Sequence, residues 1–233
     1  MIISIENTLV VLRGELIMNN IENIKDIFRD YGIGINGEED MKRCSVLIPV
    51  VNIDGEDNII FEIRNNKLNS NPGEICFPGG AIEEVETPKE AALRECFEEI
   101  GLGEKDLEII SQLDFYVSPN NILIYPFLGV QKNQKEDIKK FISMNKEEVS
   151  DILLVPLKYL LNYEPEITYS KIINMPKEDF PFHNIIGGKG YKFREGKYKV
   201  MFYKYNNFVI WGITARILEN FLNVYKEHYN KNI

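Results

Sequence analysis

Three glutamates, Glu95, Glu98 and Glu99, stand within five positions of a 233-residue sequence. On a helix, at about 100° per residue, positions i, i+3 and i+4 share one side, so the three carboxylates converge. Three convergent charges repel. Arg94 can pair with Glu98 at i+4, but one arginine cannot neutralise three acids. A hard divalent cation can. All-oxygen ligands suit Mg²⁺ or Mn²⁺, and Mg²⁺ keeps several waters and takes the rest of its shell from substrate phosphates. The competing reading is a solvated acidic face, which is what most charge runs on helices are.

The element that must carry these acids is legible. Thr87-Pro88-Lys89-Glu90 is a helix start: Thr87 can cap, Pro88 suits the first helical position, and Glu90 completes a capping box. Gly101 is a natural stop, so the helix is expected over Pro88–Ile100. Leu93, Cys96, Phe97 and Ile100 follow i, i+3, i+4, i+7 and form the expected core-facing stripe. Just upstream, Phe77-Pro78-Gly79-Gly80 cannot be mid-helix, and its glycine pair lets backbone carbonyls approach where side chains would obstruct.

Around that centre the chain reads as one domain of mixed secondary structure. A short helix is expected from Ile21 to near Gly32, then strands at Cys44–Val51 and Asn58–Arg64 joined by a turn at Asp54-Gly55. Further strands are expected at Leu107–Tyr116, Ile122–Val130 and Ile152–Val155, with short helices at Lys146–Asp151 and Pro156–Leu161. Tyr191–Lys204 alternates aromatics and bases around Glu195-Gly196 and predicts a β-hairpin; Ile213 to about Tyr229 predicts a final amphipathic helix. Residues 1–17 read as an N-terminal extension ahead of a domain at 18–233. Met18 is an alternative start, and the segment before it makes a poor signal peptide.

Composition narrows the function classes. A net charge of -9 argues against nucleic acid bound by blanket phosphate neutralisation and against a polybasic membrane docker. No apolar run approaches the length of a bilayer span. Three cysteines without a CxxC pair are expected to be reduced thiols in a cytoplasmic protein. The acidity is concentrated: residues 83–99 hold seven glutamates and two bases. The basic stretch Lys189–Lys204 reads as an edge hairpin with its bases in solvent, or alternatively as a lid steering an anionic substrate. Trp211 is expected to pack in the core at a strand-to-helix junction.

From Gly80 the sequence runs five residues to Glu86, seven more, then Arg94-Glu95-Cys96-Phe97-Glu98-Glu99-Ile100-Gly101-Leu102. This resembles the Nudix box at every fixed polar and glycine position. The one mild departure is Cys96, where a larger aliphatic residue is usual. The resemblance implies an α+β protein with the Nudix fold, an α/β/α sandwich on a mixed β-sheet. It also implies hydrolysis of a nucleoside diphosphate linked to another group, with Mg²⁺ or Mn²⁺. It assigns Glu95, Glu98, Glu99 and the Gly79 carbonyl to the metal, and Glu86 with Arg94 to bracing the loop against the helix. The general base is left open among Glu95, Glu98 and Glu148.

A second pattern lies upstream. Ile59-Ile60-Phe61-Glu62-Ile63-Arg64, then Leu68 and Asn71-Pro72-Gly73-Glu74-Ile75-Cys76, runs into Phe77-Pro78-Gly79-Gly80. This is similar to the segment marking coenzyme A-type Nudix pyrophosphatases, and Phe208–Arg216 resembles the closing helix of the same group. The resemblance implies a small nucleotide substrate, coenzyme A or acyl-CoA, contacted by Arg64, Lys67, Gly73 and Phe77. Asn65 stands where Ser or Ala is usual, and Asn69 where the pattern has a base.

Overall fold

The computed structural model describes residues 10–12, 15–17, 21–134 and 137–231. The alternative start at Met18 lies outside them. The chain divides into two compact units, residues 1–40 and 41–233. In the first, β1 (Val10–Leu12) pairs antiparallel with β2 (Glu15–Ile17), and α1 (Ile21–Phe28) follows. That helix ends four residues short of Gly32, with Arg29 turned back onto Asp26 at 2.9 Å.

The second unit is built on a mixed sheet. β3 (Lys42–Ile53) and β4 (Glu56–Arg64) form an antiparallel hairpin whose turn puts Asp54 and Gly55 at φ 52° and 89°, the left-handed pair that a two-residue hairpin loop demands. β5 (Ile75–Cys76) pairs with β4, and β6 (Gly79–Ala81) with β3. Helix α2 spans Pro88–Ile100 as its capping signals dictate. β7 (Leu107–Gln112), β8 (Tyr116–Val117), β9 (Ile122–Gln131) and β10 (Val149–Pro156) complete the sheet, in the order β10-β4-β3-β9-β7. Among the described strands only the β3–β9 pairing is parallel, so the sheet is mixed as expected. A short α3 (Leu157–Asn162) follows. A separate antiparallel sheet of β11 (Glu166–Ile172), β12 (Gly196–Tyr205) and β13 (Phe208–Trp211) leads into α4 (Gly212–Lys231).

Strand alternation on β4 sets up the site. Ile59 and Phe61 join a core with Leu153 and Val155 of β10, Met201 and Tyr203 of β12, and Leu218 and Phe221 of α4. Ile60 is fully buried outside that cluster. With a period of two, Glu62 shares the face of Ile60, the face turned to α2.

Four expectations need correction. The segment Lys146–Asp151 is not a helix: Asn145 forms a turn, and β10 starts at Val149 because its register against β4 buries Leu153 opposite Phe61. The expected strand Leu107–Tyr116 is divided, with an irregular register at Ile109–Ser111. Glu195-Gly196 is not a hairpin turn: Gly196–Tyr205 is one strand running against β11, and the turn to β13 is Asn206-Asn207, with Asn206 at φ 53°. Of its bases, Lys199 bonds Glu219 and Lys204 bonds Glu166. Finally, α2 is rotated relative to its expected stripe. Phe97 is 61% exposed and lies over Gly103, whereas Ala92, Cys96, Glu99 and Ile100 are buried.

Candidate active site

The start of α2 is pinned by chemistry written in its sequence. Thr87 Oγ1 accepts from the Glu90 amide, and the Thr87 amide donates back to Glu90 Oε2 at 2.7 Å. The buried Ser45 hydroxyl on β3 donates to the Pro88 carbonyl at 2.6 Å, fixing the helix onto the sheet. Ahead of it, Gly79 packs so closely on β3 that a Cβ there would sit 2.3 Å from the Ser45 carbonyl oxygen and 2.7 Å from Val46 Cα. A side chain cannot be accommodated at that crossing.

Arg94 organises the outer half of the site. Its Nε and Nη2 donate to the two oxygens of Glu86 at 3.0 and 2.6 Å, a bidentate pair across eight residues. Nη2 also donates to the Ala81 carbonyl, and Nη1 to Glu95 at 2.9 Å and Glu98 at 3.2 Å. The guanidinium holds the Glu86 carboxyl below the usual carboxylate range. In return these acids hold Arg94 firmly protonated. Through Glu86 and the Ala81 carbonyl the Arg94 guanidinium joins loop to helix.

The inner half is acidic and sealed. Glu99 is buried, and its Oε2 accepts the Gly79 amide at 2.8 Å. Burial raises its pKa, and the charge of Glu62 raises it further. Glu62 is 1% exposed. Its Oε1 accepts the Cys76 thiol at 3.0 Å, while Oε2 has no hydrogen-bond partner. Burial raises its pKa as well. Glu95 is half-buried against Gly80, where an added Cβ would meet its Oε1 at 2.3 Å; desolvation raises its pKa against the pull of Arg94.

Of the four expected metal groups, the structure brings Glu95, Glu99 and Gly79 to one loop. Glu98 is 54% exposed and accepts a bond from Arg94 Nη1 at 3.2 Å. No three His, Cys, Asp or Glu groups among the described residues stand ready at metal-binding distance, since Arg94 draws Glu95 and Glu98 to itself. The donor set nonetheless fits a hard cation. Glu62 has a sealed carboxylate oxygen with no donor and lies beside the buried carboxyl of Glu99; the ion pair Glu62 makes among the described residues is a long one, Arg64 Nη1 at 3.9 Å from Oε1.

The residues expected at the substrate are dispersed. Arg64 reaches the Ser70 carbonyl at 3.4 Å and lies beside Glu62, at the inner site. Lys67 is exposed in the loop beyond it. Gly73, at φ 71°, donates its amide to the Arg64 carbonyl, so its part is to turn the loop. Phe77 is 3% exposed and stacked on Phe61 at 4.8 Å, anchoring the loop in the core. Glu148 is exposed at the rim, and its charge is felt by both Glu62 and Glu95.

Sequence reasoning missed two features. Glu62 was detectable as the one acid inside the apolar run Ile59–Ile63, on the face of Ile60. Trp211 is not core: it is 43% exposed and stacks parallel to Phe202 at 6.0 Å, in a cleft of roughly 430 Å³ shared with Pro72, Gly73, Glu74 and Phe208. Its place on β13, a strand that was not anticipated, is what turns it outward.

The NUDIX domain family matches residues 41–173, which include the loop, α2 and the sheet that carries them. The chain belongs to the Nudix family and is a pyrophosphate hydrolase of that class. Within the class it is similar to coenzyme A diphosphatases. The mouse protein named peroxisomal coenzyme A diphosphatase NUDT7 (Mus musculus) is 34% identical over 172 residues, covering 72% of this chain and 70% of that one. The Caenorhabditis elegans protein named peroxisomal coenzyme A diphosphatase ndx-8 is 28% identical over 130 residues, and this chain spans 52% of its length. Among solved structures, a C. elegans Ap4A hydrolase binary complex aligns with 51% of this chain and 82% of its own at a TM-score of 0.40 and 18% identity. No helix among the described residues is long and apolar enough to cross a membrane.

Proposed function

We propose that this Nudix hydrolase cleaves the pyrophosphate of coenzyme A or an acyl-CoA, releasing 3′,5′-ADP and (acyl-)4′-phosphopantetheine, with Mg²⁺ or Mn²⁺ held by Glu95, Glu98, Glu99 and Gly79. The observation that carries this is the continuity of two segments. Residues 71–76 run without a break into the Gly79–Gly80 loop, so the strap of the coenzyme A-type pattern borders both the acidic site and the Trp211 cleft. The similarity to proteins named as coenzyme A diphosphatases supports the same reading.

Bound there, the cation supplies charge neutralisation for the pyrophosphate and activation of the attacking water. The chain's own residues do the rest. Arg94 fixes the loop relative to the helix through Glu86, and the Gly79 amide orients Glu99. The Trp211–Phe202 face offers a flat apolar surface for the base of the nucleotide, and Arg64 and Lys67 offer positive charge for its phosphates. Of the three candidate bases, Glu148 is the one Arg94 does not hold, and its exposed carboxylate suits it to take the proton from water. Three free thiols support a reducing compartment such as the cytoplasm.

Asn69 favours a second reading, because it cannot neutralise a phosphate where the pattern has a base. In that reading the same chemistry acts on ADP-ribose, a dinucleoside polyphosphate or an oxidised nucleotide. A panel of coenzyme A, acetyl-CoA, ADP-ribose, NADH and diadenosine polyphosphates, each with Mg²⁺ and Mn²⁺ and with products identified by mass, separates them. Coenzyme A or acetyl-CoA is expected to lead. ADP-ribose faster by more than about tenfold in kcat/KM, roughly 1.4 kcal/mol of transition-state preference, would overturn the first reading.

A further inference from the structure

We propose that Glu62, on β4 and outside the loop and helix, supplies an oxygen to the divalent cation beside Glu99. The proposal rests on the metal-dependent reading above and adds a ligand to it. Glu62 is 1% exposed and lies in a strand otherwise apolar from Ile59 to Ile63. A carboxylate in such a place is costly unless each oxygen finds a partner. One oxygen has one: the register of β4 with β5 sets Glu62 opposite Cys76, whose thiol donates to Oε1 at 3.0 Å. The other, Oε2, is sealed from solvent with no hydrogen-bond partner. The acid beside Glu62 is Glu99, whose own Oε2 is already engaged by the Gly79 amide.

Two carboxylates pressed together in a sealed space need a proton or a cation between them. Only the cation makes use of the rest of the arrangement. Cys76 occupies one oxygen and leaves the other unengaged, and α2 supplies the second acid in Glu99. The inner part of the site is then a strand–helix pair, with Glu62 from the sheet and Glu99 from α2. Glu62→Gln keeps the volume and removes one anionic oxygen.

The test is Mn²⁺ binding without substrate, followed by titration calorimetry and by water-proton relaxation, which counts waters on the bound ion. Glu62→Gln is expected to weaken Mn²⁺ binding by about tenfold or more and to add about one water to the bound ion. Metal-free circular dichroism is expected to be unchanged. Mn²⁺ affinity within about twofold of the parent, with the same water count, would overturn the proposal. If Glu62→Gln does not fold, Glu62→Asp, which keeps the charge and shortens the reach, is measured by the same criteria. Glu99→Gln runs alongside. If it loses Mn²⁺ while the Glu62 variants do not, Glu62 alone is wrongly placed. If none of them changes binding, the metal-site reading itself fails.

Discussion

Arg94 grips Glu86 through two bonds, Nε to Oε2 at 3.0 Å and Nη2 to Oε1 at 2.6 Å, and so ties the end of the glycine loop to the second turn of the helix. Both side chains are largely covered, at 26% and 12% exposure, so the pair is better sheltered than an ordinary surface ion pair. Glu86→Gln should cost about 2 kcal/mol of stability near neutral pH. The sign with pH follows from the lowered pKa of Glu86. Its contribution is complete above the unfolded carboxylate pKa of about 4.3 and is lost as pH falls through the lower folded value. Thermal unfolding of both proteins from neutral pH down to about pH 3 should show the gap closing on the acid side, and a constant gap would refute the linkage.

The two glycines of the loop are predicted to fail differently. At Gly79 a Cβ would meet the Ser45 carbonyl oxygen and Val46 Cα, both backbone atoms that cannot swing away. Gly79→Ala should therefore destabilise by about 3 kcal/mol and show as a lowered Tm. At Gly80 the obstruction is the end of the Glu95 side chain, which can move. Gly80→Ala should leave Tm nearly unchanged but weaken Mn²⁺ binding and turnover, because Glu95 is displaced. Equal Tm losses in both would contradict this division.

The outer site was more legible from sequence than the inner one, for a physical reason. Helix α2 is specified by local signals, since its cap, proline, capping box and left-handed Gly101 all act within one turn of its ends. The Glu86–Arg94 brace also lies within one contiguous motif. Glu62, Cys76 and the rotation of α2 depend on strand register and on contacts across the fold, which no local period encodes. The aromatic alternation of 191–204 suggested a hairpin centred on Glu195-Gly196, but pairing with β11, some 30 residues upstream, set the strand instead. The Asn206-Asn207 dipeptide was the readable turn signal. Trp211 followed the same rule, because its exposure depends on β13 lying at the edge of a sheet.

Glu98 and Glu99 share a proposed role but occupy different surroundings, so their variants should separate activity from stability. Glu98 is half in solvent and bonds only Arg94 among the described residues, so Glu98→Gln should change stability by no more than about 0.5 kcal/mol. Glu99 is buried against Glu62, and burial with that neighbouring charge pushes its pKa up to about 10, so Glu99→Gln in metal-free protein should leave Tm nearly unchanged near neutral pH, where the carboxyl is already neutral. Both should lose on the order of a hundredfold or more in kcat with Mg²⁺. Normal turnover in both would remove the carboxylates from the mechanism.

Trp211 offers the sharpest test of where the nucleotide lies. It is 43% exposed, its ring is within 2° of parallel to Phe202, and it lines the cleft with Pro72 and Gly73 of the strap that leads to the acidic site. Stacking of a base on an aromatic face is worth about 1–3 kcal/mol. Trp211→Ala should therefore raise KM for coenzyme A by about five- to fiftyfold while kcat stays within about twofold. Tm should shift little, because the side chain supports no large part of the core. Trp211→Phe keeps an aromatic face and should recover most of the loss in KM. A purely structural tryptophan would behave in the opposite way, with a fall in Tm, a joint fall in kcat and kcat/KM, and no difference in substrate affinity between the alanine and phenylalanine variants.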